Sequence, residues 1–594
     1  MKTKIWQLLV LLMVSTGSVW AQSSNSNSFG GGNGQAGNPF KISELSHLTQ
    51  LATLVNGHAG YGINSGVVVN GNDNLYRNAH YILTNDIDVN NTPLTPIGNY
   101  QTINQFLGTF DGDGYVISNI FVGTTSLGDA TYQYTGLFGY TSGIIKNLGV
   151  TGNINLTATS NIRYRVGLIA GCNEGGIVQN CYAEGSIIFN RGTNTVTTND
   201  GYDIGLLLGY NTSKGGTSHG LVDNCYALGT IKCINASTAS VESFSIGGLV
   251  GRNARNGVPR IKNSYAIVDK DIEGFELSTG TNPARIGDFV GSIVGTGVAN
   301  NGQIEDCYTK DKSKGVTGAL NSNVNGIDEI NQMLGTLPAT EWVLPENFTD
   351  PSTSPYPILK CMVRYNLEFN AGSGISFVDP VADTIAFYSK TLVLPNADKA
   401  KRIGYTLSGW TYNSTPITVT AADTWAPAIL TNPILEHETT LTLVADWNAN
   451  PVTIEFDING GTPPAPIDIV TNFDADISSS WPTNPTKTGY TFVKWVNDNG
   501  NEVDASTIWD DIDYDDVKHP MDATQNVINV TAVWAVKKVT IEFDLNSGTG
   551  TANDISNIDF GSTIANSTWP SNPTRTGYVF GGWEYDNTQV VDNN

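Results

Sequence analysis

Positive charge is scarce in this chain: 31 Lys and Arg stand against 55 Asp and Glu in 594 residues, a formal net charge of −24 with a pI near 4.5. Nucleic acids and acidic lipid surfaces would be repelled over most of such a surface, which excludes nucleic acid as a partner. After the first 21 residues no run is long and apolar enough to cross a bilayer as a helix. Histidine is rare, and its six copies, His47, His58, His80, His219, His437 and His519, never cluster at metal-ligand spacing. No Gly-x-Ser-x-Gly elbow, P-loop or dinucleotide fingerprint follows a strand, so nucleophilic and nucleotide chemistry have no candidate. Cysteine is also sparse. Cys181, Cys225 and Cys307 occupy one repeated position, with Ser264 standing in once, and this points to a small buried residue stacked tier above tier rather than a disulfide framework. Cys172, Cys233 and Cys361 retain the option of local pairing.

What is abundant is Asn, Gly, Thr and Ser, with only 14% charged residues, a composition suited to turn-rich β-structure. The chain begins with Lys2 and Lys4, an apolar run from Leu8 to Val14 and the small residues Val19 and Ala21, the pattern of a secretory signal peptide cut near Ala21. A flexible Gly/Ser/Asn leader follows over 22–37. Ser43 then stands where it would cap a helix bearing Leu45, Leu48, Leu51 and Leu54, stopped by Asn56 and Gly57.

From residue 134 to 308 a glycine-bracketed apolar block recurs five times: TGLFGY, GLIAGC, GLLLGY, GGLVGR and GSIVGT, the last at Gly295. Each is followed by a companion, KNLGV, NCYAEG, NCYALG, NSYAIV and DCYTKD in turn. Tyr182, Tyr226, Tyr265 and Tyr308 fall 44, 39 and 43 residues apart, a period typical of stacked-repeat architectures. The bracketing glycines are expected to supply positive φ at corners and close approach between tiers, with Leu137, Leu206 and Leu249 inside.

Together with the lead-in phrases NDIDV, TPIGN and GTFDGDGYVISNI, these repeats resemble the GLUG-motif proteins of bacterial surfaces over residues 38 to about 360. The resemblance implies an all-β chain built on a right-handed β-solenoid, exported and exposed, for which a one-sided helix makes a natural N-terminal cap. The corresponding division is a capping and lead-in segment at 38–123, the repeats at 124–312, and a C-terminal cap and linker at 313–360, with a short helix at Asp328 to Leu334.

A second period begins after that. IGYTLSGW, TGYTFVKW and TGYVFGGW place Trp410, Trp495 and Trp583 85 and 88 residues apart, and NLEFNAGSG, TIEFDINGG and TIEFDLNSG open the three units. Ile454, Phe456 and Ile458 share one strand face, as do Ile541, Phe543 and Leu545. These units resemble the Listeria–Bacteroides, or internalin-B, repeat, which implies tandem small β-grasp-like modules at 361–449, 450–535 and 536–594. The third lacks its closing strand, so the sequence reads as truncated at Asn594.

Because GLUG repeats also resemble segments accompanying bacterial immunoglobulin-A peptidases, a zinc-protease motif is the sharpest enzymatic alternative. The nearest approach, HETTL at His437, has Leu441 where the second histidine belongs and reads as a surface turn. Asp86 and Asp88, like Asp111 and Asp113, sit two apart as they would to hold calcium or do acid–base work on a polysaccharide; Asp beside Gly is also ordinary turn chemistry, and that reading comes first. The acidic run from Trp509 to Asp516 lacks the glycine and terminal glutamate of an EF-hand loop. The Tyr182 series forms either a stacked core ladder or a platform for sugars. The sequence therefore reads as an exported, non-enzymatic, adhesin-like protein without cofactor, calcium aside, whose partners are extracellular proteins or glycans. A polysaccharide-active enzyme and a structural spacer are the alternatives.

Overall fold

Leucines spaced three apart make a helix here for the expected reason. In the computed structural model the helix runs Leu45–Asn56, and its buried stripe is Leu48, Leu51, Ala52 and Val55. Its ends differ from expectation. The Ser43 hydroxyl meets the His47 ring at 3.4 Å, and Asn56 does more than interrupt: its amide donates to the Pro96 carbonyl at 2.8 Å and accepts from the Gly98 N–H. The structure describes residues 29–56, 75–100, 104–124, 133–158, 163–192, 201–234 except 216, 244–273 except 255–256, 285–292, 302–309, 324–326, 337–343 and 357–590 except 389, 418–423, 426–438, 464–467, 507–525 and 587. The signal sequence, His58, His437, His519, Gly295, the 328–334 segment and the 509–516 acidic run lie outside the described residues. Two compact units are present: 1–366 with 385–392 and 426–440, and 367–384 with 393–425 and 441–594.

The first unit contains three parallel sheets and a two-stranded antiparallel sheet, Trp342–Val343 with Ile358–Leu359. One parallel sheet contains the long strands Ile144–Thr157, Ile177–Asn190, Leu221–Ile234 and Tyr265–Glu273. The second holds Phe138–Thr141, Ala170–Glu174, Leu208–Thr212, Val250–Asn253 and Val290–Ser292. The third holds Tyr134–Thr135, Arg165–Val166, Tyr202–Gly205, Phe244–Gly247 and Arg285–Gly287. Each sequence repeat contributes one strand to each parallel sheet, and the register brings like residues together: Cys181 with Cys225, Tyr182 with Tyr226 and Gly185 with Gly229. Buried rows run across the tiers, Ile145–Val178–Val222–Ile261–Ile304 and Ile154–Ile187–Ile231 among them. At about 2–3 kcal/mol per fully buried aliphatic side chain, such rows are the main favourable term in stacking.

The companion motif has a local explanation. Asn147, Asn180, Asn224, Asn263 and Asp306, each just before the Cys/Ser/Leu position, adopt the left-handed conformation, which Asn and Asp tolerate better than other side chains. The following small residue points inward. Cys181, Cys225 and Cys307 each donate Sγ–H to the carbonyl two residues back, and Ser264 Oγ does the same to Lys262 at 2.7 Å, which is why Cys and Ser interchange there. All six cysteines are free thiols.

The block glycines behave differently from the expectation. Gly136, Gly139, Gly167, Gly171, Gly205, Gly209, Gly247 and Gly251 do not have positive φ. Their role is proximity: a Cβ on Gly205 would stand 2.4 Å from the Leu208 carbonyl oxygen and 2.5 Å from the Gly251 nitrogen. Within the long strands the mid-strand glycines, Gly152, Gly185 and Gly229, instead have positive φ.

In the second unit the second tryptophan repeat has a five-stranded sheet in the order Ile469–Asn472, Pro451–Asp457, Asn526–Val536, Tyr490–Asn497, Glu502–Val503. The 451–457 and 526–536 strands pair in parallel and the other pairs are antiparallel. Ile454 and Phe456 are buried with Val530 and Ala532, Ile458 is partly so, and Trp495 meets Phe456 edge-on at 5.0 Å. Trp410 takes the same buried place in the first repeat, opposite Ala445. In the third repeat Ile541, Phe543 and Leu545 alternate with exposed neighbours but are only half-buried.

Candidate functional site

The tyrosine series is a ladder. Tyr182 stacks on Tyr226 at 4.9 Å and 6°, and Tyr226 on Tyr265 at 5.1 Å and 2°, with Tyr308 next in register. Leu337, Trp342, Leu359 and Met362 cover it, Trp342 Nε1 donates to Asn224 Oδ1, and the Tyr265 hydroxyl donates to the Pro357 carbonyl. Burial pushes the Tyr226 phenol up from its ordinary range. The faces of these rings are spent on one another and on the covering segment.

The four carboxylates singled out by spacing are held by N–H and cationic donors. Asp86 accepts from the Val116 N–H and from Arg364 at 2.5 Å. Asp88 closes a turn on the Asn90 N–H and accepts from Asn119; hydrogen bonds from Asn119 and Asn90 hold it below the usual carboxylate range. Asp111 accepts from the Asp113 N–H and Asn147 and pairs with Lys146 at 2.9 Å, and Asp113 pairs with Lys390 at 2.7 Å. A bound cation would have to displace Arg364, Lys146 or Lys390. Among the described residues no three His, Cys, Asp or Glu side chains gather at metal-ligand distance. His47 meets Ser43, and His219 Nδ1 lies 3.0 Å from Ser213 Oγ.

Two buried polar arrangements carry sequence signals that motif reading passed over. Asn173, Asn211 and Asn253, each directly after a block (GCN, GYN, GRN), form a fully buried amide ladder with bonds of 2.9 and 2.8 Å. Arg165 is buried with Asp203 at 3.3 Å, donates to the Tyr134 hydroxyl and lies 3.9 Å from the centre of the Tyr210 ring. Its counterpart two tiers beyond Asp203, in register through Ser245, is Arg285, and the matching Arg-Val-Gly and Arg-Ile-Gly strings are the sequence signal.

What is left open to solvent is the outward side of the long strands. Asn153, Asn155, Ile188, Thr230, Asp269, Asp271 and Glu273 are exposed there, alternating with buried residues across four paired strands. Ser186 Oγ donates to Asn153 Oδ1 at 2.6 Å, and Lys232 is held between Asp271 and Glu273 at 2.7 and 2.6 Å. Hydrogen bonds from Lys232 to these two carboxylates raise its pKa above the ordinary lysine value. Hydroxyls, amides and ion-paired charges thus lie in rows at the strand spacing, about 4.8 Å. Such a surface offers many polar contacts in register.

The family model of the Listeria-Bacteroides repeat domain matches residues 453–513 and 540–593, and that of the GLUG motif matches 162–188. Both are repeat models. A "Putative Gly-rich membrane protein" of Evansella cellulosilytica is 24% identical over 461 residues, 70% of this chain and 46% of that protein. A "Putative membrane protein" of the same organism is 27% identical over 232 residues, 37% of this chain and 28% of that protein. This chain therefore spans less than half the length of either relative. A crystal structure of "a putative immunoglobulin A1 protease from Bacteroides ovatus" aligns with a TM-score of 0.35 at 17% identity, covering 56% of this chain and 95% of that one. No helix among the described residues is long and apolar enough to cross a membrane.

Proposed function

We propose that this is a non-enzymatic, exported surface protein of adhesin-like type, and that the outward side of its long strands binds an extended extracellular protein or glycan chain. In this reading the three parallel sheets are the faces of a right-handed β-solenoid spanning 124–312, led in by 38–123 with the Leu45–Asn56 helix as its cap and closed by 313–360. Three β-grasp-like modules follow at 361–449, 450–535 and 536–594. One observation carries the proposal: the polar rows from Asn153 to Asp271 stay uncovered and in register, while the tyrosine ladder is covered and the spaced carboxylates are engaged. Many weak, equivalent contacts along such rows give avidity without a deep pocket. The GLUG and Listeria-Bacteroides repeats, and relatives whose names say membrane protein, support a surface location.

The test is the purified full chain on arrays of glycans and extracellular-matrix proteins, beside a Ser186→Glu/Ile188→Asp/Thr230→Glu variant whose fold is checked by circular dichroism. Binding that the variant loses supports the proposal. Binding that the variant retains, binding to nothing, or release of reducing ends from a polysaccharide panel counts against it, the last in favour of an enzyme and the second in favour of a spacer.

A further inference from the structure

The second unit contains one side-chain arrangement twice over. In the first repeat Gly404 has φ +76°, the Tyr405 N–H donates to the Arg402 carbonyl at 3.2 Å, and the Arg402 guanidinium lies 3.6 Å from the centre of the Tyr405 ring. The Asn450 N–H then bonds the Gly404 carbonyl, and the Phe473 N–H bonds the Asn450 carbonyl, both at 2.9 Å. That brings Phe473, just beyond the Ile469–Asn472 strand of the next repeat, edge-on to Tyr405 at 5.5 Å. The Phe473 ring fills the place of a side chain on Gly404: a Cβ there would stand 2.2 Å from its Cδ1.

The second repeat does the same. Gly489 has φ +78°, Tyr490 donates to the Lys487 carbonyl at 3.1 Å, and Lys487 Nζ lies 4.7 Å from the ring centre. Lys537 bonds the Gly489 carbonyl and Phe560 bonds the Lys537 carbonyl, at 2.9 and 3.0 Å. Phe560, just beyond the Ile555–Asp559 strand, would stand 1.8 Å from a Gly489 Cβ. A version of the same contact is found inside the first unit, where Phe387 lies edge-on to Tyr115 at 5.0 Å, over Gly114 at φ +86°. Glycine and tyrosine make an acceptor, and a phenylalanine at the end of a strand plugs it.

The third repeat presents the same acceptor, already shaped. Gly577 has φ +82°, Tyr578 donates to the Arg575 carbonyl at 3.0 Å, and Arg575 lies 4.4 Å from the ring centre. Among the described residues no atom comes within 4 Å of a Cβ placed on Gly577; Tyr578 is 68% exposed and Val579 95%. An aromatic ring and an aliphatic side chain are thus left in water, whereas the equivalent Tyr405 and Tyr490 of the two preceding repeats are half-buried.

We propose that Gly577 and Tyr578 form a docking site for the opening hairpin of a further β-module of this same type, one carrying a phenylalanine at the end of its second strand. A second copy of this chain does not fit, because its own plugs, Phe387, Phe473 and Phe560, are already seated. The inference stands apart from whatever the long strands of the first unit bind.

The test uses the full chain with residues 507–594 appended again after Asn594, Tyr578→Phe being placed in the added copy so that one Tyr578 peptide remains. Nitration by tetranitromethane is read by mass spectrometry at Tyr578 against the exposed Tyr585. Tyr578 is expected to react several-fold more slowly in the extended chain, and to regain its reactivity when the added copy carries Phe560→Ala or when Gly577→Ala blocks the acceptor. Unchanged reactivity in the extended chain overturns the proposal. So does protection that survives both substitutions, since a covering strand alone would then account for it. Concentration-dependent protection in the unextended chain would make a second copy the occupant and overturn it as well.

Discussion

Arg165 shows most clearly what a single side chain contributes in the first unit. It is buried with one carboxylate, Asp203, and its remaining contacts are the Tyr134 hydroxyl, the Tyr210 face and the Cys172 sulfur at 3.7 Å. Removing one partner of a buried pair leaves an uncompensated charge, so Arg165→Met should cost about 3–5 kcal/mol by chemical denaturation. The double variant Arg165→Met/Asp203→Leu should recover most of that loss, because no charge is then stranded. Beside it, burial pushes the Cys172 thiol up to about 12 from an ordinary value of 9.0. The folded state therefore holds this proton more tightly than the unfolded state. Its contribution to stability is complete below pH 9 and is lost as pH rises toward 12. Denaturation midpoints of the wild type should fall more steeply over that window than those of Cys172→Ala, and native Cys172 should resist iodoacetamide at pH 9 until the protein is unfolded.

At the scale of elements, the stacking of like on like gives the long strands their shape. The three mid-strand glycines sit directly over one another, and a Cβ on Gly185 would stand 1.8 Å from the Gly152 carbonyl oxygen at φ +146°. Neither the space nor the dihedral admits a side chain, so Gly185→Ala should destabilise the unit by about 2–3 kcal/mol, read as a lower denaturation midpoint with an unchanged slope. In the second repeat of the other unit the equivalent weight falls on one ring. Trp495 packs against Phe456 and Phe492, and Trp495→Ala should cost about 3–5 kcal/mol within that module.

For the whole molecule, separate cores imply separate melting. The first unit is centred on the tiered aliphatic rows, and the second has its own tryptophan-centred clusters. Scanning calorimetry should therefore resolve more than one transition, and Trp495→Ala should lower one of them while leaving the other in place. If both shifted together, the units would be unfolding as one cooperative body.

The sequence by itself determined the periodicities, and with them the strand content, the parallel stacking of equivalent residues and the inward Cys/Ser position. Identical short motifs at a regular interval pack best on copies of themselves, and the resemblance to GLUG and Listeria-Bacteroides repeats was legible in the same residues. Tertiary structure alone decided which polar groups are spent and which are free. The tyrosine ladder is covered by a segment about 116 residues further on, Trp342 over Tyr226, and Asp86 is answered by Arg364. The block glycines serve proximity, while asparagines take the left-handed corners. Local sequence encodes which conformations a residue tolerates, but the partner that satisfies or buries a side chain is brought to it by the rest of the fold.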